Sequence, residues 1–314
     1  MDQIFSRIVG TGSYLPKYVW SNADVARKVD TTDLWIRTMT GIRQRHVAST
    51  ESTTDMAVSA GAQALKTAGI ESGRLDLIIV ATITPDLIFP STAAMVQARL
   101  GARHIGAFDL SAACSGFVNG LAIADGMIAA GRSKAALVIG AERMTNLVDW
   151  TERSTCVLFG DGAAAVVVVP SSEPGIMSAQ MHADGSSPDL LRAPSKLTPY
   201  LHMDGGAVFK FAVRSLVEGG QEALKANDLT ASDLDWVIPH QANLRIIEVS
   251  AKKLEIPMNK VIVTVDRHAN TSAASIPLAL HEAVQDRKLA PGNKVLLLSV
   301  GGGFTWASSL IRWG

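Results

Sequence analysis

The sequence of this 314-residue chain contains an internal repeat. The segment AQALKTAGIESGRLDLII at 62–79 matches QEALKANDLTASDLDWVI at 221–238, about half the chain length away. Each copy has the pattern of a helix, a short loop and a buried strand. Because two related α/β units must share one architecture, the repeat constrains the fold more than any single motif does.

The repeat continues downstream. The stretch FDLSAACSGFVNGL from Phe108 aligns with VDRHANTSAASIPL from Val265, so that Cys114 faces Thr271. Both stretches predict a strand that ends in Asp, a turn of small residues and a helix. Each copy then predicts an apolar strand, a glycine turn and a further strand, at 136–142 and 159–169 in the first copy and at 294–300 and 301–311 in the second.

Alternating strands and helices with buried, β-branched strands predict an α/β fold. We expect mostly parallel sheets with helices on their faces, in two halves related by a pseudo-twofold axis. The stretch SSEPG at 171–175 is the best boundary, which divides the chain into residues 1–171 and residues 172–314. The Pro- and Ser-containing segment 184–200 is interpreted as a loop excursion.

Composition excludes several classes of protein. The chain has 29 basic and 29 acidic residues and no net charge, which argues against a nucleic-acid partner bound by overall charge. Two cysteines make no disulfide framework, and no Cys/His cluster suggests a metal site. A reducing, cytoplasmic setting fits this cysteine usage. We see no signal peptide and no apolar run long enough to span a bilayer, so no membrane association is expected.

Three reactive residue types fall at the ends of predicted strands, where α/β sheets bind ligands. Cys114 begins a predicted helix, whose free N–H groups and dipole are expected to lower the thiol pKa and stabilise a nucleophilic thiolate. His240 follows the second-copy strand at the position of Ala81 in the first copy, and Asn270 lies in the matching turn. Each residue alone also fits a bland structural role, as a buried thiol, a sheet-end histidine or a turn former.

Other residues compete for these roles or support them. His268 is nearer to Asn270 in sequence than His240 is, although the repeat favours His240. Cys156 lies in an apolar context and is interpreted as an inert core residue. The GGGF stretch at 301–304 predicts a tight turn that also offers an N–H to a bound oxyanion.

Together, several motifs resemble the β-ketoacyl-acyl carrier protein synthase III family, which are condensing enzymes of the thiolase superfamily. The motifs are ACSGF at 113–117, PHQANLRII at 239–247, DRHANTSAAS at 266–275 and GGGFTW at 301–306, and the likeness runs nearly end to end. The resemblance implies a thiolase-like, duplicated five-layer α/β/α/β/α fold with pseudo-twofold halves, and a homodimer. It also implies a catalytic triad of Cys114, His240 and Asn270, with an oxyanion hole formed by the N–H groups of Cys114 and Gly302.

The implied reaction joins an acyl-CoA primer, commonly acetyl-CoA, to malonyl-acyl carrier protein and initiates type II fatty acid synthesis. Cys114 takes the acyl group, and His240 and Asn270 then donate hydrogen bonds to the malonyl thioester carbonyl as carbon dioxide departs. No metal or organic cofactor is implied, because the malonyl carboxylate is the latent carbanion.

The resemblance also implies binding residues. The CoA-binding set is Trp35, Arg37, Arg153, Phe209 and Asn243, with the adenine stacked between Trp35 and Arg153. A basic patch for an acidic carrier protein draws on a larger set: Lys210, Arg214, Gln241, Ala242, Asn243, Leu244 and Arg245, with Lys252 and Lys253 on the same predicted helix face. Phe89 is placed near the acyl pocket and the dimer interface, beside Leu87 and Ile88.

Three positions depart from the better-known members: Met39 replaces an Arg near the CoA phosphates, Gly206 replaces an Asn and Ser154 replaces a Gly. They leave the identity of the primer open. Three other functions compete with condensation: acyl transfer without decarboxylation on the same fold, a carrier-protein-binding scaffold, and a cysteine hydrolase. The duplication argues against the hydrolase, and the intact pair of His240 and Asn270 argues against the simple acyltransferase.

Overall fold

The computed structural model describes residues 3–194 and 199–314. The strands within these ranges are β1 (Phe5–Tyr14), β2 (Tyr18–Ser21), β3 (Gln44–Val47), β4 (Leu77–Ala81), β5 (Gly106–Leu110), β6 (Ala136–Arg143), β7 (Asp161–Ser171), β8 (Ile176–Ala183), β9 (Leu191–Arg192), β10 (His202–Met203), β11 (Trp236–Pro239), β12 (Lys294–Gly301) and β13 (Thr305–Arg312). The helices are α1 (Asn22–Ala26), α2 (Asp33–Thr40), α3 (Thr53–Ala68), α4 (Thr92–Arg99), α5 (Gly116–Ala129), α6 (Arg153–Cys156), α7 (Gly205–Ala226), α8 (Leu244–Lys253), α9 (Val265–His268) and α10 (Ser275–Gln285).

Two larger sheets carry the fold, and both are mixed. The first has the order β1-β7-β6-β4-β5 and the second has the order β11-β12-β13-β8. Within these two sheets the β4–β5, β4–β6 and β11–β12 pairs are parallel, and the β1–β7, β6–β7, β12–β13 and β13–β8 pairs are antiparallel. The prediction of mostly parallel sheets is therefore wrong. The turn between β12 and β13 spans residues 302–304, which is too short for the crossover that a parallel pair requires.

The segment interpreted as a loop excursion contains some regular structure. Strand β9 pairs antiparallel with β10, so the chain forms a short two-stranded ribbon there. Residues 195–198 of that segment lie outside the described residues.

Helices and sheets stack in five layers, which confirms the predicted fold class. Helix α3 covers the outer face of the first sheet, α5 and α10 lie between the two sheets, and α7 covers the outer face of the second. Side chains of β4 alternate between two apolar clusters: Leu77 and Ile79 pack in the central one, while Ile78 and Val80 pack beneath α3. Because both faces are covered, the strand is a continuous apolar run in sequence.

The repeat is visible in the backbone, although its register differs from the sequence alignment. Residues 113–115 and 272–274 form matching 3₁₀ turns in front of α5 and α10. Each turn begins with a non-glycine residue in the left-handed region, Ala113 at φ +46° and Ser272 at φ +50°. Cys114 is therefore equivalent to Ala273 and not to Thr271, so the alignment was wrong by two residues.

The second copy also lacks one predicted strand. Residues 265–268 form helix α9, and Val261 makes only an isolated bridge to the sheet. The side chain of Gln241 takes the place of the missing ladder: its Oε1 accepts from the N–H of Thr264 at 2.8 Å and its Nε2 donates to the carbonyl of Ile262 at 3.1 Å. A buried backbone needs such partners, and here one carboxamide supplies them.

Candidate active site

A cavity of about 850 Å³ lies where the two halves meet. Cys114 from the turn before α5, His240 directly after β11, and Asn270 from the turn after α9 all line it. The structure thus brings together the three residues that the sequence placed at strand ends.

Cys114 lines the cavity and keeps partial solvent exposure, yet protein surrounds its thiol. The pKa of the Cys114 thiol is raised to about 12, chiefly by burial; the hydroxyl of Ser272 opposes this rise and the nearby Glu142 carboxyl adds to it. The expected low pKa at a helix start is therefore wrong for the ligand-free protein, because desolvation outweighs the local dipole. Cys114 rests as a neutral thiol.

His240 is held by the first residue of α10. Its Nδ1 lies 2.6 Å from the Ser275 hydroxyl oxygen, which also accepts from the N–H of Gln241 at 3.4 Å. The Ser275 hydroxyl has no other hydrogen-bond acceptor among the described residues, so we assign its proton to the Nδ1 of His240, which leaves the imidazole proton on Nε2. Burial lowers the pKa of His240 to about 4, so the ring is neutral near pH 7 and offers an N–H.

Asn270 has a defined amide orientation. Its Oδ1 accepts from the N–H of Ser272 at 2.8 Å, so Nδ2 is the atom that can donate to a ligand. Its backbone bonds to the other half of the molecule, where its N–H donates to Leu158 at 2.9 Å and its carbonyl accepts from Gly160 at 3.1 Å. The second half thus delivers a donor whose position depends on the first half.

The glycine turn packs against the cysteine. A side chain at Gly301 would place its Cβ 2.5 Å from the backbone N of Cys114, so only glycine lets the end of β12 approach this closely. Gly302, one residue further, lines the cavity beside Cys114. The GGGF stretch forms the predicted tight turn, with Gly301 paired to Thr305.

Three of the five predicted CoA residues line the cavity, and a fourth, Arg153, stacks on one of them. The Arg153 guanidinium lies 4.7 Å from the centre of the Trp35 ring, and Trp35, Phe209 and Asn243 line the cavity. Arg37 does not line it; this exposed residue pairs with Asp33 at 3.4 Å. The lining position on α2 belongs instead to Met39, one of the departures noted in the sequence.

A patch of basic residues lies on the helices next to the cavity, and two of its members, Lys210 and Arg245, line it. Its members are exposed and belong to the packed pair of helices α7 and α8: Lys210, Arg214, Arg245, Lys252 and Lys253. Ala242, Asn243 and Leu244 are half-buried at the start of α8. The prediction for Gln241 is wrong, since its side chain is fully buried and serves the backbone, so it cannot contact a protein partner.

Three further predictions concern residues away from the cavity. Phe89 does not line it but is 84% exposed, on a loop where Leu87 and Ile88 are also exposed. Cys156 is buried in the core, as predicted. His268 bonds to Glu282 at 2.9 Å and does not line the cavity, so it does not compete with His240.

Sequence reasoning missed three residues that surround the triad, namely Glu142, Ser272 and Ser275. Glu142 is the next-to-last residue of the apolar strand β6. A charged residue in such a buried run is itself a signal, because it requires buried partners. The two serines lie in the NTSAAS stretch at 270–275. The small side chains of this stretch predict a turn, but its hydroxyl groups are also hydrogen-bonding partners for the triad.

Acyl transfer through a cysteine is the chemistry that this duplicated fold and its junction cavity support, and the class they define is the thiolase superfamily of condensing enzymes. The family models described as 3-oxoacyl-[acyl-carrier-protein (ACP)] synthase III and as its C-terminal part match residues 108–185 and 224–313. The chain belongs to the β-ketoacyl-acyl carrier protein synthase III family, and it is an acyltransferase.

Relatives match along the whole chain. A β-ketoacyl-[acyl-carrier-protein] synthase III of Xanthomonas campestris pv. campestris is 53% identical, with 99% of each chain covered. The crystal structure of 3-oxoacyl-[acyl-carrier-protein] synthase III from Aquifex aeolicus VF5 superposes with a TM-score of 0.95 at 49% identity, covering 98% of this chain and 100% of that one. The priming β-ketosynthase of the R1128 polyketide biosynthetic pathway has a TM-score of 0.96 at 39% identity, with 99% and 97% covered.

No helix in residues 3–194 and 199–314 has the length and apolar character to cross a bilayer. The same ranges hold no group of three or more histidine, cysteine or acidic side chains arranged to bind a metal.

Proposed function

We propose that the protein condenses an acyl-CoA primer, acetyl-CoA foremost, with malonyl-acyl carrier protein through an acyl-Cys114 intermediate, and so begins type II fatty acid synthesis in the cytoplasm. The observation that carries the proposal is the convergence of Cys114, His240 and Asn270 on one cavity. Within it, residues 1–171 supply the nucleophile and residues 172–314 supply the two neutral donors.

In the first half-reaction, the Cys114 sulfur attacks the primer thioester and CoA leaves. The tetrahedral intermediate carries an oxyanion, and the backbone N–H groups of Cys114 and Gly302 are the proposed donors to it. Gly301 supports this assignment, because its lack of a side chain brings the glycine turn against the amide of Cys114.

In the second half-reaction, malonyl-acyl carrier protein occupies the same cavity. The Nε2–H of His240 and the Nδ2–H of Asn270 donate to its thioester carbonyl, where enolate charge develops as carbon dioxide departs. The carbanion then attacks the acyl group on Cys114. Both donors are neutral near pH 7, so the enolate is stabilised by hydrogen bonds that no titration near this pH removes.

The cavity mouth supports CoA binding. Arg153 already lies against Trp35, so an adenine that stacks between them must first separate the two side chains. Phe209 and Asn243 line the path inward. The basic patch of α7 and α8 complements an acidic carrier protein at the same mouth.

We also propose a homodimer that covers the apolar loop at Leu87, Ile88 and Phe89. Ile88 is 95% exposed, which is costly for an isolated chain in water. Phe89 is remote from the cavity of its own chain, so its contribution to an acyl pocket would be made to the partner copy.

The test is intact-protein mass measurement after exposure to a panel of acyl-CoAs, followed by labelled carbon dioxide release from malonyl-acyl carrier protein. We expect one acyl group on Cys114, and carbon dioxide release coupled to product. Acylation without any carbon dioxide release would identify an acyltransferase that does not decarboxylate, and the absence of acylation with every primer would overturn the proposal.

A further inference from the structure

A fully buried carboxyl group lies behind the catalytic turns. Glu142, at the end of β6, has no exposed surface, and four donors contact its carboxyl oxygens. Its Oε2 accepts from Thr82 Oγ1 at 3.1 Å, Ile83 N at 3.1 Å and Thr84 Oγ1 at 2.7 Å, while its Oε1 accepts from Ser272 Oγ at 2.9 Å. No basic side chain pairs with it in the part of the chain that the structure describes.

Ser272 connects this carboxyl group to the nucleophile. It begins the 3₁₀ turn that packs against the turn of residues 113–115, and its left-handed backbone fixes its direction. Its hydroxyl donates to Glu142, so its oxygen lone pairs are free to accept a proton. Because its turn packs against the turn that carries Cys114, the hydroxyl is close enough to lower the pKa of that thiol. Ser272 therefore lies between the turn of the nucleophile and the buried carboxyl group.

His240 does not fill the role of proton acceptor. Its Nδ1 is taken by the Ser275 hydroxyl and its Nε2 carries the proton that the condensation step requires. The thiol of Cys114 must nevertheless lose a proton before the sulfur can attack a thioester, because the thiolate is the nucleophile. A different acceptor is needed, and Glu142 is the buried base that a hydrogen bond connects to the site.

We propose that Ser272 and Glu142 form a proton relay that removes the thiol proton of Cys114 during acylation and returns it when the product leaves. As the sulfur–carbon bond forms, the thiol proton passes to the Ser272 oxygen, and the Ser272 proton passes to Oε1 of Glu142. The carbon–sulfur bond of the acyl-CoA breaks, and the departing CoA thiolate takes its proton from solvent.

The second half-reaction reverses the relay. Carbon dioxide leaves, the carbanion attacks the acyl group, and the Cys114 thiolate is expelled from the tetrahedral intermediate. That thiolate recovers its proton from Ser272, which is reprotonated by Glu142. Until it returns that proton, Glu142 is neutral, so no buried anion opposes the malonyl carboxylate while it is bound in the cavity. Burial raises the pKa of Glu142 to about 7, which suits a group that must both take and return a proton near neutral pH.

The relay rests on the proposed function, and its test separates the two. Rapid-quench mass measurement follows acyl-enzyme formation against pH in wild type, Glu142→Gln and Ser272→Ala. Alanine fits the left-handed backbone of position 272, because Ala113 occupies the equivalent position at φ +46°. Ser309→Ala is the matched control, since Ser309 is equally buried but bonds to Ser178 outside the cavity.

We expect the wild-type acylation rate to rise through about pH 7, and the Ser309 variant to match it. Glu142→Gln and Ser272→Ala should each slow acylation at pH 7 by about 10²-fold, the lower end of what general base catalysis contributes. Their rates should rise only at a pH where the free thiol ionises.

The sign of the effect discriminates between roles. If Glu142 acted only as a nearby negative charge, its removal would lower the pKa of Cys114 and speed acylation. Unchanged or faster acylation in both variants would overturn the relay and leave acyl-Cys114 chemistry intact. Wild type that forms no adduct on Cys114 would instead overturn the proposed function. Thermal unfolding of each variant identifies loss of fold, and Ser272→Ala keeps the test open if Glu142→Gln is unstable.

Discussion

The two halves of the molecule contain the same turn with different chemistry. Residues 113–115 and 272–274 share a 3₁₀ backbone that starts in the left-handed region, yet the first turn places Cys114 where the second places Ala273. In the second half the functional groups flank this position, at Asn270 and Ser272. The same backbone geometry therefore holds the nucleophile in the first copy and the hydrogen-bonding side chains in the second.

The neighbouring strands diverge in the same way. Strand β5 pairs in the first sheet, whereas its counterpart is helix α9, held by the carboxamide of Gln241. The loss of a sheet edge in the second half leaves Asn270 free of a regular ladder, apart from its bridge to Phe159. The less regular half is therefore the one that presents the two side-chain donors.

The largest effect is expected when the cysteine is moved from the first turn to the second. Cys114→Ala should reduce acyl-enzyme formation by at least about 10³-fold, because the nucleophile is removed. Adding Ala273→Cys to that variant should restore none of it, since position 273 is 1% exposed and faces packed atoms. Intact mass after exposure to acyl-CoA reports both results, and an adduct on the double variant would show that the two turns are interchangeable.

Asn270 distinguishes the donor half from the nucleophile half. Asn270→Ala should slow condensation by about 10²–10³-fold, the usual effect of losing one oxyanion donor, while acyl-enzyme still forms. Asn270→Asp keeps the acceptor for the Ser272 N–H but removes the donor, so it should be at least as impaired. Labelled carbon dioxide release and acylation are measured separately, and equal loss in both steps would contradict the assignment.

Gln241 tests the divergence of the strands through stability. Gln241→Ala should lower the free energy of unfolding by about 2–4 kcal/mol, because buried backbone groups near Thr264 and Ile262 lose their partners. The control is Gln97→Ala in the first half, where the side chain bonds to Ala102 and Arg103 nearer the surface and about 1 kcal/mol is expected. Urea unfolding measures both, and equal costs would argue against a special role for Gln241.

Two carboxyl groups, one from each half, should give opposite pH dependence. Burial alone would raise the pKa of Glu282, but hydrogen bonds from His268 and Arg267 outweigh it and lower that pKa to about 2. Its stabilisation is present above its unfolded pKa of about 4.5 and is lost as pH falls toward 2. Glu142, with its pKa raised to about 7, is protonated in the fold below that pH, whereas in the unfolded chain it ionises above about 4.5, so the unfolding free energy falls as pH rises from about 4.5 to 7.

The corresponding variants separate these slopes. Glu282→Gln should remove the acid-side loss and cost about 1–2 kcal/mol at neutral pH, discounted for its partial exposure. Glu142→Gln should flatten the interval between pH 4.5 and 7. Urea unfolding at a series of pH values checks both, and a Glu142 slope of the opposite sign would mean that this carboxyl is ionised in the native state.

Sequence alone predicted the elements that local pattern determines. The α3–β4 and α7–β11 units and the strand-end placement of Cys114, His240 and Asn270 follow from apolar runs and the repeat. The repeat alignment wrongly paired Cys114 with Thr271, because small residues align equally well at several offsets. A non-glycine residue in the left-handed region also has no sequence signature that would have fixed the alignment.

The remaining errors came from long-range contacts. The replacement of a strand by α9 depends on Gln241, more than twenty positions away, which no local pattern reports. The pKa of Cys114 depends on how densely the fold encloses the thiol, so a helix-start argument had the wrong sign. Arg37 and Met39 lie on different faces of α2, and only the face of Met39 lines the cavity. Tertiary packing decides which face that is.

The backbone bridge between Phe159 and Asn270 has a consequence for how the enzyme can be divided. It joins the halves through the very residue that donates to the substrate, so separately expressed fragments 1–171 and 172–314 would each hold an incomplete reaction centre. When the two fragments are mixed, we expect enzymatic turnover to appear at the same fragment concentrations at which the fragments associate.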